Sequence, residues 1–214
     1  MFYFANIAYL TILVLLNILC VSTCQSEETL EMVHVIFRHG NRTPDLRSSY
    51  PNDPYLNNSY YPYGHGQLTN KGKNRMYLLG KALRERYDRF LGPLYTPNIL
   101  DPVSTDTNRT KMSLELVLAG FFPPHETDLE WQKELNWQPI PYNYVSSFTD
   151  NTMSIPFFSC PRYTLLVHSL HASSKGIEFR KKHSQIYEQF IENSGADNVT
   201  FVLIVTTYGT LTAQ

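Results

Sequence analysis

Apolar and polar residues alternate along the chain with two periods, one typical of strands and one typical of helices. The run over 32–37 is short, apolar and rich in β-branched residues, which predicts a buried strand. Thr69 then has the position of an N-cap, and apolar residues recur every three or four positions as far as Phe90, which predicts an amphipathic helix. A second strand is predicted over 99–104, where Pro102 would confine it to a sheet edge.

The rest of the pattern indicates an α/β fold. A second helix is predicted over 109–120, and the order strand, helix, strand, helix predicts a three-layer α/β/α structure with a mainly parallel sheet. After an irregular stretch, 163–190 has a mostly helical pattern, which we interpret as part of an insertion covering one end of the sheet. The apolar run over 199–208 predicts a further buried strand. Because such a strand needs cover on both faces and little chain follows it, we expect a fold that is incomplete at the C-terminus, with exposed, aggregation-prone sheet surface.

The N-terminal segment predicts a leader. Residues 1–24 contain no charged side chain, and an apolar run of 15 residues extends from Ile7 to Val21. A membrane-spanning helix needs about 20 residues, whereas the apolar part of a signal peptide has about 7–15. We therefore expect a signal peptide over 1–24 and a secreted domain over 25–214, divided into an α/β half (25–124) and the insertion (125–214). An uncleaved anchor stays open, because the basic residues that usually begin a signal peptide are missing.

Composition and charge exclude several classes of protein. The chain has 214 residues, of which 43% are hydrophobic, and its 18 basic and 19 acidic side chains leave a net charge of -1. These values are typical of a globular protein and not of a disordered one. A balanced charge predicts no nucleic-acid partner and, once the leader is removed, no membrane partner.

The expected secretion of the chain determines how its cysteines and glycosylation sequons are interpreted. Of three cysteines, only Cys160 lies outside the predicted leader. Its thiol could lack its partner, pair with another molecule, be reactive, or be a small buried apolar group. Four Asn-x-Ser/Thr sequons occur, and Asn57 and Asn198 are the expected glycan sites, because Asn41 and Asn108 are expected to lie in a pocket.

The candidate chemistry follows the first predicted strand. The segment Arg38-His39-Gly40-Asn41-Arg42-Thr43-Pro44 stands where open α/β sheets build their sites. Two guanidinium groups match the oxygens of a phosphate, and a histidine between them is expected to stay neutral because nearby positive charge disfavours its protonation. A neutral imidazole among phosphate-binding cations is a nucleophile for phosphorus. Ordinary surface arginines beside a turn histidine are the alternative for an arbitrary pair of this kind.

This segment resembles the signature of the histidine acid phosphatases, which include the lysosomal, prostatic and venom acid phosphatases. Further segments resemble family motifs in the same order along the chain. They are Gly64-His65-Gly66-Gln67-Leu68-Thr69, Ser104-Thr105-Asp106-Thr107-Asn108-Arg109-Thr110, Phe121-Phe122-Pro123-Pro124, Trp137-Gln138-Pro139-Ile140-Pro141 and Cys160-Pro161-Arg162. The resemblance extends from about residue 30 to about residue 190.

The resemblance implies an acid phosphatase that hydrolyses phosphate monoesters. His39 would form a phosphohistidine, and Arg38, Arg42 and Arg109 would bind the phosphoryl oxygens. No metal or cofactor is implied. The expected partners are a small-molecule or protein phosphate monoester and, as an open alternative, a second copy in a homodimer. The expected location is extracellular, with the lysosomal lumen as the alternative.

Two departures from the family pattern indicate that the chain is only part of such an enzyme. Family members carry a His-Asp pair whose aspartate is the general acid, and no histidine here precedes an aspartate. Cys160 matches a family cysteine whose partner lies near the C-terminus, and that partner is absent here. We therefore expect the N-terminal portion of such an enzyme, through truncation, alternative splicing or an incomplete gene prediction, impaired or inactive as it stands. The alternative is a secreted, non-catalytic remnant that binds phosphate or a partner.

Overall fold

A computed structural model describes residues 29–153, 160–197 and 199–213 of the chain. These residues fall into two units, the first ending at Ile36 and the second beginning at Phe37. The predicted signal peptide lies outside the described residues. The described part of the first unit, 29–36, has no regular secondary structure.

The predicted buried strand over 32–37 is wrong. The segment is irregular, and the side chains of Met32 and Ile36 are 67% and 93% exposed. A strand forms only where a neighbouring strand takes up its backbone hydrogen bonds. No strand in the described part of the chain pairs with this segment, so its apolar, β-branched composition is not enough.

The first predicted helix is confirmed as α1, which spans Asn70–Leu91. Thr69 caps it, because its hydroxyl accepts a hydrogen bond of 3.2 Å from the backbone N–H of Gly72. The helix ends at Gly92, whose φ of 73° favours glycine. The capping residue and the apolar spacing thus lead to the observed boundaries.

A short parallel sheet and the second helix follow. Strand β1 (Val103–Thr105) pairs in parallel with β2 (Asn143–Val145), and α2 spans Asn108–Phe121 as predicted. The predicted strand over 99–104 is shorter and later than expected, because Pro102 has no N–H to donate and contributes only its carbonyl, which accepts from Asn143 N–H at 2.9 Å. Strand β2 is too short for any sequence pattern to reveal.

The core lies where α1 crosses α2. Met76 of α1 is buried together with the apolar face of α2 that includes Leu114 and Val117. A Cβ on Gly80 would collide with the carbonyl of Val117, and a Cβ on Gly120 would collide with that of Tyr77. The two glycines let the helix backbones approach closely, and this crossing holds the two helices that carry the candidate site.

The C-terminal part of the described chain is helical. The prediction over 163–190 is confirmed by α3 (Pro161–Ala172), α4 (Ser174–Lys182) and α5 (Ser184–Ser194). The strand predicted over 199–208 is wrong, because this segment forms helix α6 (Phe201–Leu211). A helix satisfies its backbone hydrogen bonds within itself, whereas a strand needs a partner.

Helix α6 also has a cap and an anchor. Thr200 caps its start by accepting a hydrogen bond from Leu203 N–H at 3.1 Å. Near its end, the buried hydroxyl of Thr210 donates to the carbonyl of Ser48 at 2.9 Å, in the 3-10 turn Leu46–Ser48. These contacts bring the end of α6 beside the loops that carry the candidate site.

The fold is therefore of the α/β class, with a small parallel sheet and several helices. None of the helices described above has the length and apolar character needed to cross a membrane.

Candidate active site

The loop 38–44 is held against the segment that leads into α1. Thr43 N–H donates to the carbonyl of Gln67 at 2.9 Å, and Thr69 N–H donates to the carbonyl of Asn41 at 3.0 Å. The Thr43 hydroxyl accepts from Gln67 N–H at 3.0 Å. These hydrogen bonds fix the backbone on both sides of Arg42, so the backbone position of Arg42 does not depend on contacts made by its side chain.

Glycines place the same loop against both core helices. A Cβ on Gly40 would lie 2.5 Å from the carbonyl oxygen of Gly72, and a Cβ on Gly72 would collide with the carbonyl of Asn41. Gly40 N–H donates to the Ser113 hydroxyl at 3.2 Å, and that hydroxyl donates to the carbonyl of Arg109 at 2.6 Å. The loop, the first turn of α1 and the first turns of α2 thus form one packed unit around His39.

The ring of His39 is oriented by its neighbour. Its Nδ1 lies 2.8 Å from the carbonyl oxygen of Gly40, and Nδ1–H donates to that oxygen. In the neutral imidazole this leaves the lone pair on Nε2. The half-buried ring therefore presents Nε2 as its nucleophilic nitrogen.

The surroundings lower the pKa of His39. Burial is the largest cause, since it disfavours the charged ring, and the hydrogen bond to the Gly40 carbonyl acts in the opposite direction. Three guanidinium groups lower the pKa further, in the order Arg109, Arg38 and Arg42. The direction agrees with the expectation from the flanking arginines, but burial contributes more than their charge.

The cations of the site repel one another. Burial and the charge of Arg109 lower the pKa of Arg42, whereas Asp45 raises it. Arg109 Nη1 lies 3.7 Å from a carboxylate oxygen of Asp45 and donates to the carbonyl of Gly66 at 3.4 Å. One carboxylate thus partly offsets two guanidinium groups, and an anion bound near His39 would relieve the remaining repulsion.

A cavity of about 710 Å³ opens beside the loop. Arg38, His39 and Arg42 line it, whereas Arg109 reaches His39 electrostatically without being one of the lining residues. The sequence patterns do not predict the remaining charged lining, which comes from Lys71 and Arg75 of α1. The sequence signal for these two residues is their four-residue spacing, which places both on one face of the helix that follows the motif.

The other candidate residues have separate positions. Asn57 is exposed and Asn198 lies outside the described residues. Asn41 lines the cavity, but Asn108, expected there as well, is the exposed first residue of α2 and does not line it. Cys160 is half-buried with a free thiol. In the ranges that the structure covers, no three His, Cys, Asp or Glu side chains are grouped so that they could hold a metal ion.

Residues 29–202 match the histidine phosphatase superfamily, branch 2. The chain belongs to this superfamily. The matched range contains both arginine-bearing segments of the site, so the resemblance drawn from those motifs is confirmed at the level of the family.

Known members of the superfamily are similar over most of the chain. The venom acid phosphatase of Apis mellifera is 40% identical over 186 residues, covering 86% of this chain and 47% of the relative. Rattus norvegicus lysosomal acid phosphatase is 36% identical over 183 residues, covering 86% and 42%. The prostatic acid phosphatase of Bos taurus is 40% identical over 163 residues, covering 76% of this chain and 40% of the relative. The chain thus spans less than half the length of these histidine phosphatases.

Proposed function

We propose that this chain carries the phosphate-binding and nucleophilic part of an acid phosphatase, with His39 as the nucleophile. The observation that carries the proposal is the state of the His39 ring. Its Nδ1 is engaged by Gly40, its pKa is lowered by burial and by three guanidinium groups, and it faces a cation-lined cavity. A neutral imidazole therefore persists into acid solution, where it can attack phosphorus.

The reaction would proceed in two displacements at phosphorus. The Nε2 lone pair forms a bond to phosphorus while the bond to the ester oxygen breaks, and the leaving oxygen takes a proton from the acid solvent. Water then attacks the phosphohistidine, the phosphorus–nitrogen bond breaks, and inorganic phosphate leaves with the ring restored. Splitting one difficult step into two is the usual benefit of a covalent intermediate.

Arg38, Arg42 and Arg109 would bind the phosphoryl oxygens during both steps. Arg38 and Arg42 line the cavity, and Arg109 is close enough to His39 to lower its pKa. Removing one preorganised donor of this kind typically lowers the rate by about 10²–10³-fold.

The sequence also favours a second candidate function. None of the seven histidines precedes an aspartate, so the chain has no match to the family's general acid, whose loss typically costs about 10²–10⁴-fold in rate. Turnover of unactivated esters would then be impaired, leaving a non-catalytic protein that binds phosphate or a partner. Relatives named for venom and for lysosomes support secretion or delivery to the lysosomal lumen as the location.

Pre-steady-state kinetics with 4-nitrophenyl phosphate at acid pH separates the two functions. This leaving group needs no general acid, so the proposal predicts a burst of nitrophenol that His39→Ala abolishes. His168→Ala, on the exposed surface of α3, is the matched control and should keep the burst. Folded protein that binds phosphate without any burst would support the binding function instead.

A further inference from the structure

The cavity beside His39 has more positive charge than one phosphate group needs. Arg38, Arg42, Lys71 and Arg75 line it, and no Asp or Glu is found among the described residues that do so. The whole chain has a net charge of only -1, so this concentration of one sign is local. A concave surface lined by cations alone concentrates anions.

Lys71 and Arg75 are distinct from the proposed phosphate-binding arginines. They lie four residues apart on α1, so they occupy one face of that helix. Within the described ranges, neither side chain makes an ion pair or a hydrogen bond. Both cations are therefore available to a molecule in the cavity.

Their placement is unfavourable for the helix itself. Like charges four residues apart repel one another, and a cation in the first turn opposes the helix dipole. The first turn of α1 contains no acidic residue that would offset them. A local rule broken without compensation from the fold is typical of a functional position, and a bound anion would supply the compensation.

We propose that Lys71 and Arg75 form a second anion subsite in this cavity, which selects phosphate monoesters whose leaving group carries a second negative charge. The inference rests on the proposed function, because it places the scissile phosphate at His39 and Arg42. The second group would be a carboxylate or a further phosphate, held by the ammonium of Lys71 and the guanidinium of Arg75.

Lys73 provides the matched control. It belongs to the same helical turn, but its ammonium lies 5.9 Å from the ring centroid of Tyr63 and it does not line the cavity. Lys73→Gln and Lys71→Gln each remove one positive charge from α1. Only Lys71→Gln also removes a cation from the lining of the cavity.

Calorimetric binding of arylphosphonates tests the proposal without turnover, because the carbon–phosphorus bond is not hydrolysed. The probes are phenylphosphonate and its 3-carboxy and 4-carboxy derivatives at low ionic strength. We expect at least one carboxylated probe to bind about fivefold tighter than the parent, a gain typical of a solvent-exposed ion pair. Lys71→Gln alone should reduce that ratio, the double variant Lys71→Gln with Arg75→Gln should reduce it to about one, and Lys73→Gln, the one-charge control for Lys71→Gln, should keep it. Circular dichroism establishes that each variant is folded.

The outcomes separate the two proposals. If no phosphonate binds the folded protein, the proposed phosphate site itself is wrong. If all three probes bind equally, or if the double variant keeps the ratio, the phosphate site stands and the subsite at Lys71 and Arg75 is wrong.

Discussion

Helices α1 and α2 and helices α3 and α4 are held in place in different ways. The first two cross at glycines that bring their backbones into contact, and they bury Met76, Leu114 and Val117 between them. Helices α3 and α4 bury no residue, and Leu165 and Leu166 of α3 are 66% and 57% exposed. The candidate site stands on the interlocked pair. Precise positioning of reacting groups requires packed supports, and only the first pair of helices provides them.

The largest difference between the two pairs is expected when one leucine in each is truncated. Leu114→Ala should lower the free energy of unfolding by about 3 kcal/mol, because it leaves a cavity in the packed crossing. Leu165→Ala should change it by less than about 0.5 kcal/mol, since its side chain is already largely in water. Urea unfolding followed by circular dichroism measures both, and equal effects would contradict the contrast.

The next largest difference is expected between Gly72 of α1 and Gly209 of α6, a helix outside both pairs. Gly72→Ala should lower the free energy of unfolding by about 2 kcal/mol and weaken phosphate binding, because the new Cβ collides with the carbonyl of Asn41. Gly209→Ala in α6 meets no atom within 4 Å and should stabilise the protein by up to about 1 kcal/mol through helix propensity. Thermal unfolding and phosphate titration of the two variants test this pair. A Gly72→Ala protein with unchanged phosphate affinity would show that the loop is not positioned by this contact.

The smallest expected effect is a pH dependence confined to the site. Because burial and the arginines lower the pKa of His39 in the folded protein, the unfolded chain takes up a proton more readily. The stability that the folded protein has with His39 neutral is fully present above about pH 6.5, the pKa of an unperturbed histidine. It is lost as the pH falls from there through the folded-state pKa of His39. His39→Asn should therefore reduce the pH dependence of the free energy of unfolding between pH 6.5 and the folded-state pKa of His39. Urea unfolding at several pH values measures both the parent protein and the variant, and a pH dependence that stays the same in His39→Asn would show that this ring is not its source.

Local patterns in the sequence predict those parts of the fold that depend on neighbouring residues. Helix α1 follows from the cap at Thr69 and the apolar spacing after it, and the first helix of the C-terminal part follows from the pattern beyond Tyr163. The segments 32–37 and 199–208 have the composition of strands. Whether a strand forms depends on a distant partner, and the two segments are irregular and helical.

The candidate site likewise combines features set by neighbouring residues with features that depend on distant contacts. Arg38, His39 and Arg42 lie together because they are neighbours in a motif, and that much is readable from the sequence. The approach of α6 to the cavity and the addition of Lys71 and Arg75 to its lining depend on contacts between distant segments. The four-residue spacing of Lys71 and Arg75 places them on one face of a helix, but it does not show what that face lines.

Trapping a covalent intermediate is the most direct test of His39 as the nucleophile. The folded protein is mixed with 4-nitrophenyl phosphate at acid pH and quenched in alkali, in which phosphohistidine survives, and its peptides are analysed by tandem mass spectrometry. We expect one phosphoryl group on the imidazole ring of His39, in the peptide that contains this residue, and we expect it to be absent in His39→Ala. A phosphoryl group on any other residue, or none on a protein that binds the ester, would contradict it.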